Sequence, residues 1–573
     1  MSFSPYSRIQ PRLVAARRRL VQLPRSLRAS IGAGALRPLT PGLLALIYAP
    51  FLVASFRMNI REPLFGDSAI FQYTGWCIRH GMRLYRDVGM ADGPFIHYLH
   101  AGMQALVGTT DRAFRKGDLT LEGIGGAILG LLLAPSSSPT RGRRVATRIA
   151  WAAMGAAFWL AYYFGYGWTE TTERETYYSL FGSIGLVLVY VSDGWRGRRA
   201  LVGFFLGGLL TASQAFGKPT GVVYPALGLL AVLLPSATAT LPRKRRVQAF
   251  LVGVAALVAL VLFAFLVSGS IKGYFLWCWR IPYVGNRYLW GVDWLRLLLR
   301  DWPDRRTAAL ATFVVSMGAI AAGLLPVRAL SFALAPLILY VGACLQGRGY
   351  AYHFIPLMAS CHVLLLLGLS VFWRDSGDPG WTKERRLAPF LALAFFGYHS
   401  AGDLEATQFA WDGQRGDGWY KPSQHFADAE KQVGEWLKAN TNPEDRVFAY
   451  VAGENASIIL LYAERKTASP FFHSFWLDPV GLSLQSEIKP DAKHLEALKK
   501  LQADIQAIAC TAVEQHPPRV MTLNLLPQVY HVCPNIQPML EHDYDDAATV
   551  AGFHVYMRKA QAPRLEDAQS RRR

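Results

Sequence analysis

Long apolar runs, broken by short clusters of arginine and lysine, recur along most of this chain. Charge-free stretches of the roughly 17–25 residues needed to cross a hydrocarbon core cover 38–56, 123–140, 149–169, 176–192, 200–217, 219–242, 247–271, 307–327, 329–347, 349–373 and 387–402. They predict about eleven transmembrane helices. Another stretch, 93–110, is long enough but carries His97, His100 and Gln104, and periodicity alone does not place it. After 403 the pattern changes. FADAEKQVGEWLKAN and DAKHLEALKKLQADIQAIA have helical spacing, whereas RVFAYVA, PRVMTLNLL and FHVYMR read as strands, so 403–573 is expected to form a small external α/β domain.

Composition narrows the class. Of 573 residues, 52% are hydrophobic and only 17% charged, against roughly 25% in soluble domains. Disordered, collagenous and disulfide-scaffold proteins are excluded. The net charge of +20 could signal nucleic-acid binding. The arginines, however, lie in short clusters between apolar runs, as in the cytoplasmic loops of a polytopic membrane protein, so the expected partner is membrane and not nucleic acid.

Loop charge also gives a direction. If the basic segment 1–37 is cytoplasmic and 93–110 does not cross, the loops around 141–148, 193–199, 243–246 and 374–386 fall inside with fifteen basic residues against four acidic ones. Counting 93–110 as a span would invert this, so it reads as a helix lying at the outer interface. The acidic loop 170–175 and the chain after 402 then lie outside, in the periplasm if the membrane is a bacterial inner membrane. The transmembrane domain is expected over 38–402, with a first external loop over 57–118 that holds a short amphipathic helix between Ser68 and His80. A second external segment, 268–306, is rich in Trp, Tyr and Arg, as is usual at headgroup depth. The first apolar run follows a long basic lead without a small-residue cleavage site and reads as an uncleaved signal anchor. Cys510 and Cys533 both fall in the outer domain, where a disulfide is chemically permitted; two unpaired thiols fit the spacing equally well.

Charge buried near hydrocarbon is costly and usually functional. Under this topology Asp67, Asp87, Asp92, Glu122, Glu170, Glu173, Arg174, Glu175, Lys218, Arg348 and His353 all lie at or near the external interface. Each also has a plainer reading. Asp67 suits a cap for a helix starting at Ser68, Asp87 and Asp92 suit loop turns, Glu122 suits pairing with a nearby cation, and Lys218 and Arg348 suit interfacial anchors. His97, His100 and His362 read as packed or interfacial.

The stretch GDSAIFQYTGWCIRHGMRLYRDVGMADGPFIHYLHA resembles the first external loop of bacterial GT-C glycosyltransferases, the superfamily of protein O-mannosyltransferase and the lipid A aminoarabinose transferases. TETTERETYY, GKPTG and GRGYAYHFIPL follow in the order that this superfamily shows. The chain departs from the pattern at Ser68, where many relatives carry an acid, and at Asp92, Gly93 and Pro94. The resemblance implies a GT-C-like transmembrane domain that moves a sugar from a polyprenyl-phosphate donor to an acceptor hydroxyl of a lipid, glycan or protein on the outer face, with inversion. The chemistry needs a base for the acceptor proton and cations for the departing phosphate. Asp67 is the expected base, and Lys218, Arg348 and His353 are the expected phosphate partners. Asp87, Asp92, Glu170 and Glu173 are candidates for substrate or a divalent metal ion, whose requirement stays open. The rivals are a lipid or solute transporter, which would show charges buried mid-span and repeat symmetry, and a non-catalytic relative that only binds lipid carrier.

Overall fold

The computed structural model describes residues 40–64, 66–135, 141–164, 171–286, 291–375, 427–451, 455–472, 477–485, 488–524 and 526–559. Ten of the eleven predicted spans coincide with helical segments, and 387–402 lies outside the described residues. The helices are α1 (Thr40–Asn59), α2 (Asp67–Arg79), α3 (Pro94–Val107), α4 (Asp111–Leu133), α5 (Arg141–Phe164), α6 (Arg174–Ser192) and α7 (Gly197–Ser213). They continue with α8 (Val223–Leu233), α9 (Arg243–Ser268), α10 (Pro303–Ala321), α11 (Leu330–Leu345) and α12 (Ile355–Asp375). By length and hydropathy alone, four segments among the described residues suffice to cross a membrane: Gly197–Phe216, Arg243–Ser268, Val327–Leu345 and Ala351–Val371.

The lipid-facing and packed surfaces differ as the physics of a bilayer requires. Helix α9 leaves Leu260, Phe263, Leu266 and Val267 more than half exposed, a surface that water would penalise and acyl chains would not. Helix α12 instead buries Leu357, Leu366, Leu367 and Leu369 completely, at the centre of the largest apolar cluster.

Helix α4 begins earlier than the predicted span at 123. Its first turns are charged yet turn inward: Asp118 accepts from the Tyr177 hydroxyl at 2.8 Å and the Tyr163 hydroxyl at 2.5 Å. Glu122 is fully buried and accepts from the Trp159 indole at 2.5 Å, not from a cation. Aromatic donors on α5 and α6 thus bond to carboxylates that apolarity counting places in a loop or at its edge. Asp193 makes another buried charge cluster at the far end of α6, accepting from Arg246 at 3.0 Å and pairing with Arg328 at 2.8 Å. Ionisable residues therefore gather at more than the one face that the sequence suggests.

The segment 93–110 contains α3, a 14-residue helix started by Pro94. Its polar residues His97, His100 and Gln104 are buried against α2, with His97 bonded to Thr74 at 2.7 Å. Burial lowers the His97 pKa to about 3 and keeps the ring neutral.

The C-terminal region holds a five-stranded sheet in the order β2-β1-β3-β5-β4. Parallel β2 (Lys466–Thr467), β1 (Arg446–Tyr450) and β3 (Val520–Leu523) are followed by antiparallel β5 (Phe553–Arg558) and β4 (Tyr544–Val550). Helices α13 (Asp428–Asn440), α14 (Ala456–Ala463) and α15 (Ala492–Gln515) cover it. Strand β4, YDDAATV, is absent from the sequence reading because it is a largely exposed edge strand with acidic residues. Cys510 and Cys533 form a disulfide.

This sheet domain docks on the 57–118 segment. Phe472 stacks edge-on against Tyr73 with centroids 5.0 Å apart, and the Tyr73 hydroxyl donates to the Arg465 carbonyl at 3.1 Å. At the start of α4, Asp111 accepts from Lys431 and Tyr462, each at 2.7 Å.

Candidate active site

Five separate stretches of chain bring charge to one end of the helical bundle. They are the start of α2 (Asp67), the loop before α3 (Asp92), the start of α6 (Glu173, Arg174 and Glu175), the turn between α7 and α8 (Lys218), and the turn before α12 (Arg348, Tyr350, Tyr352 and His353).

Glu175 lies at the centre. Fully buried, it accepts from Lys218 Nζ at 2.5 Å, lies 3.4 Å from Arg174 Nε and 4.0 Å from His353 Nε2. Arg174 also forms an ion pair with Asp92. The charges of Asp67, Glu173, Arg174 and Glu175 all bear on the Tyr352 hydroxyl, and those of Lys218, Arg174 and Arg348 on His353. Tyr350 stacks on Tyr352 with centroids 5.4 Å apart.

Local backbone chemistry explains the convergence. Asp67 is the first residue of α2, and the cap position before it is held by Gly66 at φ 56° and not by Asp67. The capping alternative is thereby removed, while the favourable placement of a carboxylate in a first helical turn remains. Asp92 is held by its own carbonyl, which accepts from the Tyr85 hydroxyl at 2.5 Å and the Cys278 thiol at 3.1 Å. The next residue must be glycine for steric reasons: a Cβ at Gly93 would lie 1.9 Å from the Phe216 carbonyl oxygen. Gly93 N donates to the Gly217 carbonyl at 3.2 Å, so the Asp92 loop and the Lys218 turn are a single packed unit.

Burial lowers the Lys218 pKa to about 8, against the opposing pull of Glu175, with the Arg174 and Arg348 charges adding to the lowering. Burial likewise acts to lower the Arg348 pKa. Among the site groups the cations Arg174, Lys218 and Arg348 face the carboxylates of Asp67, Asp92, Glu173 and Glu175. Such a cluster can take a proton from a hydroxyl and hold a phosphate.

Of the residues expected from sequence, Asp67, Asp92, Glu173, Lys218, Arg348 and His353 come together. Asp87 does not. It pairs with Arg83 through bonds of 2.8 and 3.0 Å; burial acts to raise its pKa, but these bonds hold the carboxyl below the usual range. Glu170 lies outside the described residues. The stacked Tyr350 and Tyr352 were missed as site residues, although both lie inside the GRGYAYHFIPL motif. No group of three or more His, Cys, Asp or Glu among the described residues is arranged to hold a metal ion; Asp92 and Glu175 are engaged by cations instead.

The whole helical arrangement, with its C-terminal sheet domain, was compared with known structures. The crystal structure of ArnT from Cupriavidus metallidurans bound to undecaprenyl phosphate superposes with a TM-score of 0.50 at 11% identity, covering 91% of this chain and 98% of that one. This chain has the ArnT fold. The apo ArnT structure from the same organism gives 0.43 at 13% identity over 90% of this chain and 97% of that one. No protein-family model matches the sequence, and no curated protein matches it. A helical bundle followed by a C-terminal sheet domain, as expected from sequence, is thus a fold that ArnT and this chain share across nearly their full lengths despite the low identity.

Proposed function

We propose that the protein is a membrane glycosyltransferase that moves a sugar from a polyprenyl-phosphate donor to an acceptor hydroxyl. The observation that carries this reading is the convergence of Asp67, Lys218, Arg348 and His353 around Arg174 at one end of an ArnT-like bundle. That the ArnT structure holds undecaprenyl phosphate supports a polyprenyl phosphate as the carrier. Loop charge supports placing the site and the 403–573 domain on the periplasmic face of a bacterial inner membrane.

In the reaction, Asp67 takes the acceptor hydroxyl proton as the oxygen attacks the anomeric carbon. The bond from that carbon to the phosphate oxygen breaks, its electrons leaving with the polyprenyl phosphate. Attack opposite the leaving group inverts the anomeric centre. Lys218 and Arg348 stabilise the charge that grows on the phosphate, Arg348 as a fork and Lys218 as a point charge, and His353 contributes a hydrogen bond. The buried Asp118 and Glu122, which a transporter reading would recruit, are bound to Tyr and Trp donors from neighbouring helices and need no transport role.

The test is transfer from polyprenyl-phosphate sugars to envelope acceptors by purified Asp67→Asn protein. A positioned base contributes about 10² to 10⁴ in rate, so transfer should fall by that order while donor binding persists. Turnover close to wild type would remove Asp67 as base. Mass spectrometry of glycans, lipids and envelope proteins from a deletion strain would name sugar and acceptor together.

A further inference from the structure

At the end of the bundle opposite the candidate site, two basic stretches that are distant in sequence merge into one surface. Helix α7 starts beside Arg196, Arg198 and Arg199, and helix α9 starts with Arg243, Lys244 and Arg245; all six side chains are exposed. Backbone contact brings the two helices together. A Cβ at Gly253 would lie 2.0 Å from the Phe205 carbonyl oxygen, and one at Gly208 would lie 2.1 Å from that of Phe250. The loops preceding them are also tied, since Thr240 N donates to the Asp193 carbonyl at 3.2 Å and its hydroxyl donates to the Trp195 carbonyl.

Among the described residues, no carboxylate of this unit pairs with the six cations. Asp193 is fully buried and already engaged by Arg246 and Arg328, so the exposed cations keep their charge. Below the patch the surface turns apolar: Val202 and Leu206 on α7 and Leu251 and Val252 on α9 are exposed. The Arg199 guanidinium lies 4.4 Å from the Trp195 ring centroid, a cation and an aromatic of the kind found at headgroup depth. A cationic rim over an apolar wall matches a molecule with an anionic head and acyl chains.

We infer that this patch is a docking site for anionic phospholipid, with the six cations binding the headgroup phosphates of a lipid such as phosphatidylglycerol and its acyl chains lying along α7 and α9. Charge near an anionic membrane surface acts additively over a Debye length. The merging of two basic stretches therefore concentrates what each loop alone would spread. The site is independent of the glycosyltransferase reading. Helix α6 links it to the candidate active site, spanning roughly 28 Å over 19 residues.

The experiment compares full-length protein with a variant carrying Arg196→Gln, Arg198→Gln, Arg199→Gln, Arg243→Gln, Lys244→Gln and Arg245→Gln, and with two variants each neutralising one stretch. Thermal stability is measured in mixed micelles of phosphatidylglycerol or phosphatidylcholine, and bound phospholipid is counted by native mass spectrometry. Wild type should be stabilised by phosphatidylglycerol alone, the effect should fade in high salt, and the six-fold variant should retain about tenfold less of that lipid. Each three-residue variant should show an intermediate loss, which keeps the test decisive should the six-fold variant fold poorly. Equal stabilisation by both lipids, or variants that retain lipid like wild type, would overturn the inference. So would an equal response to inorganic phosphate or to short RNA, since either would show a general anion surface and not a lipid site.

Discussion

Lys218 and Glu175 meet at 2.5 Å although 43 residues separate them. One comes from a turn between two helices and the other from the first turn of α6. Neither side chain is well exposed, at 13% and 0%, so the attraction acts in a medium that screens it little. The pair gives the site a cation whose charge depends on a specific carboxylate.

The lowered pKa of Lys218 gives a direction in pH. The group is charged below about 8 and neutral above it, so donor affinity should fall as pH rises through that value. For stability the sign is opposite. Folding disfavours the charged form, and this penalty is present below about 8 and relieved as pH climbs toward the ordinary lysine value. Lys218→Arg should keep its charge and flatten the affinity profile. Donor binding measured from pH 6.5 to 9.5 for both proteins decides the matter, and identical slopes would separate the profile from Lys218.

Glu175→Gln removes the carboxylate but keeps the shape. Breaking a buried ion pair from one side costs on the order of 3–5 kcal/mol, so the melting temperature should drop. The pH midpoint of donor binding should also move downward, since Glu175 opposes the lowering of the Lys218 pKa. A purely structural role would lower the melting temperature and leave that midpoint in place.

Gly93→Ala places a methyl group 1.9 Å from a backbone oxygen of the adjoining turn. Backbone cannot rotate aside as a side chain does, so the Asp92 loop and the Lys218 turn must separate, at about 1–3 kcal/mol. Transfer should fall more than stability does, because Asp92 and Lys218 move together. Paired measurements of melting temperature and turnover test this, and unchanged turnover would show that the contact is idle.

Asp111→Asn weakens the junction between α4 and the sheet domain, where Lys431 and Tyr462 both donate to the carboxylate. Losing charge-assisted bonds in a part-buried site costs roughly 1–3 kcal/mol. The expected result is easier proteolysis in the 427–472 region with the helical bundle intact. Cleavage rates equal to wild type would mean that the other contacts, such as Tyr73 with Phe472 and the Arg465 carbonyl, suffice to hold the domain.

Apolar run length by itself determined most of the helices, because a bilayer imposes a length and a polarity that any single segment must satisfy. The alternation after 403 likewise predicted β1, β3 and β5, whose inward residues are apolar. The candidate motifs were legible as an ordered set, and Asp67, Lys218, Arg348 and His353 could be named from them. What only the tertiary structure decided is pairing. Which cation faces Glu175, whether Asp67 caps its helix, and why Asp87 is spent on Arg83 depend on side chains that come from distant turns, and no local pattern encodes that distance. Asp118, the Trp159 partner of Glu122 and the Asp193 cluster were hidden for the same reason. A carboxylate stays charged or neutral in a helix according to the donors on its neighbours, and those neighbours are chosen by packing.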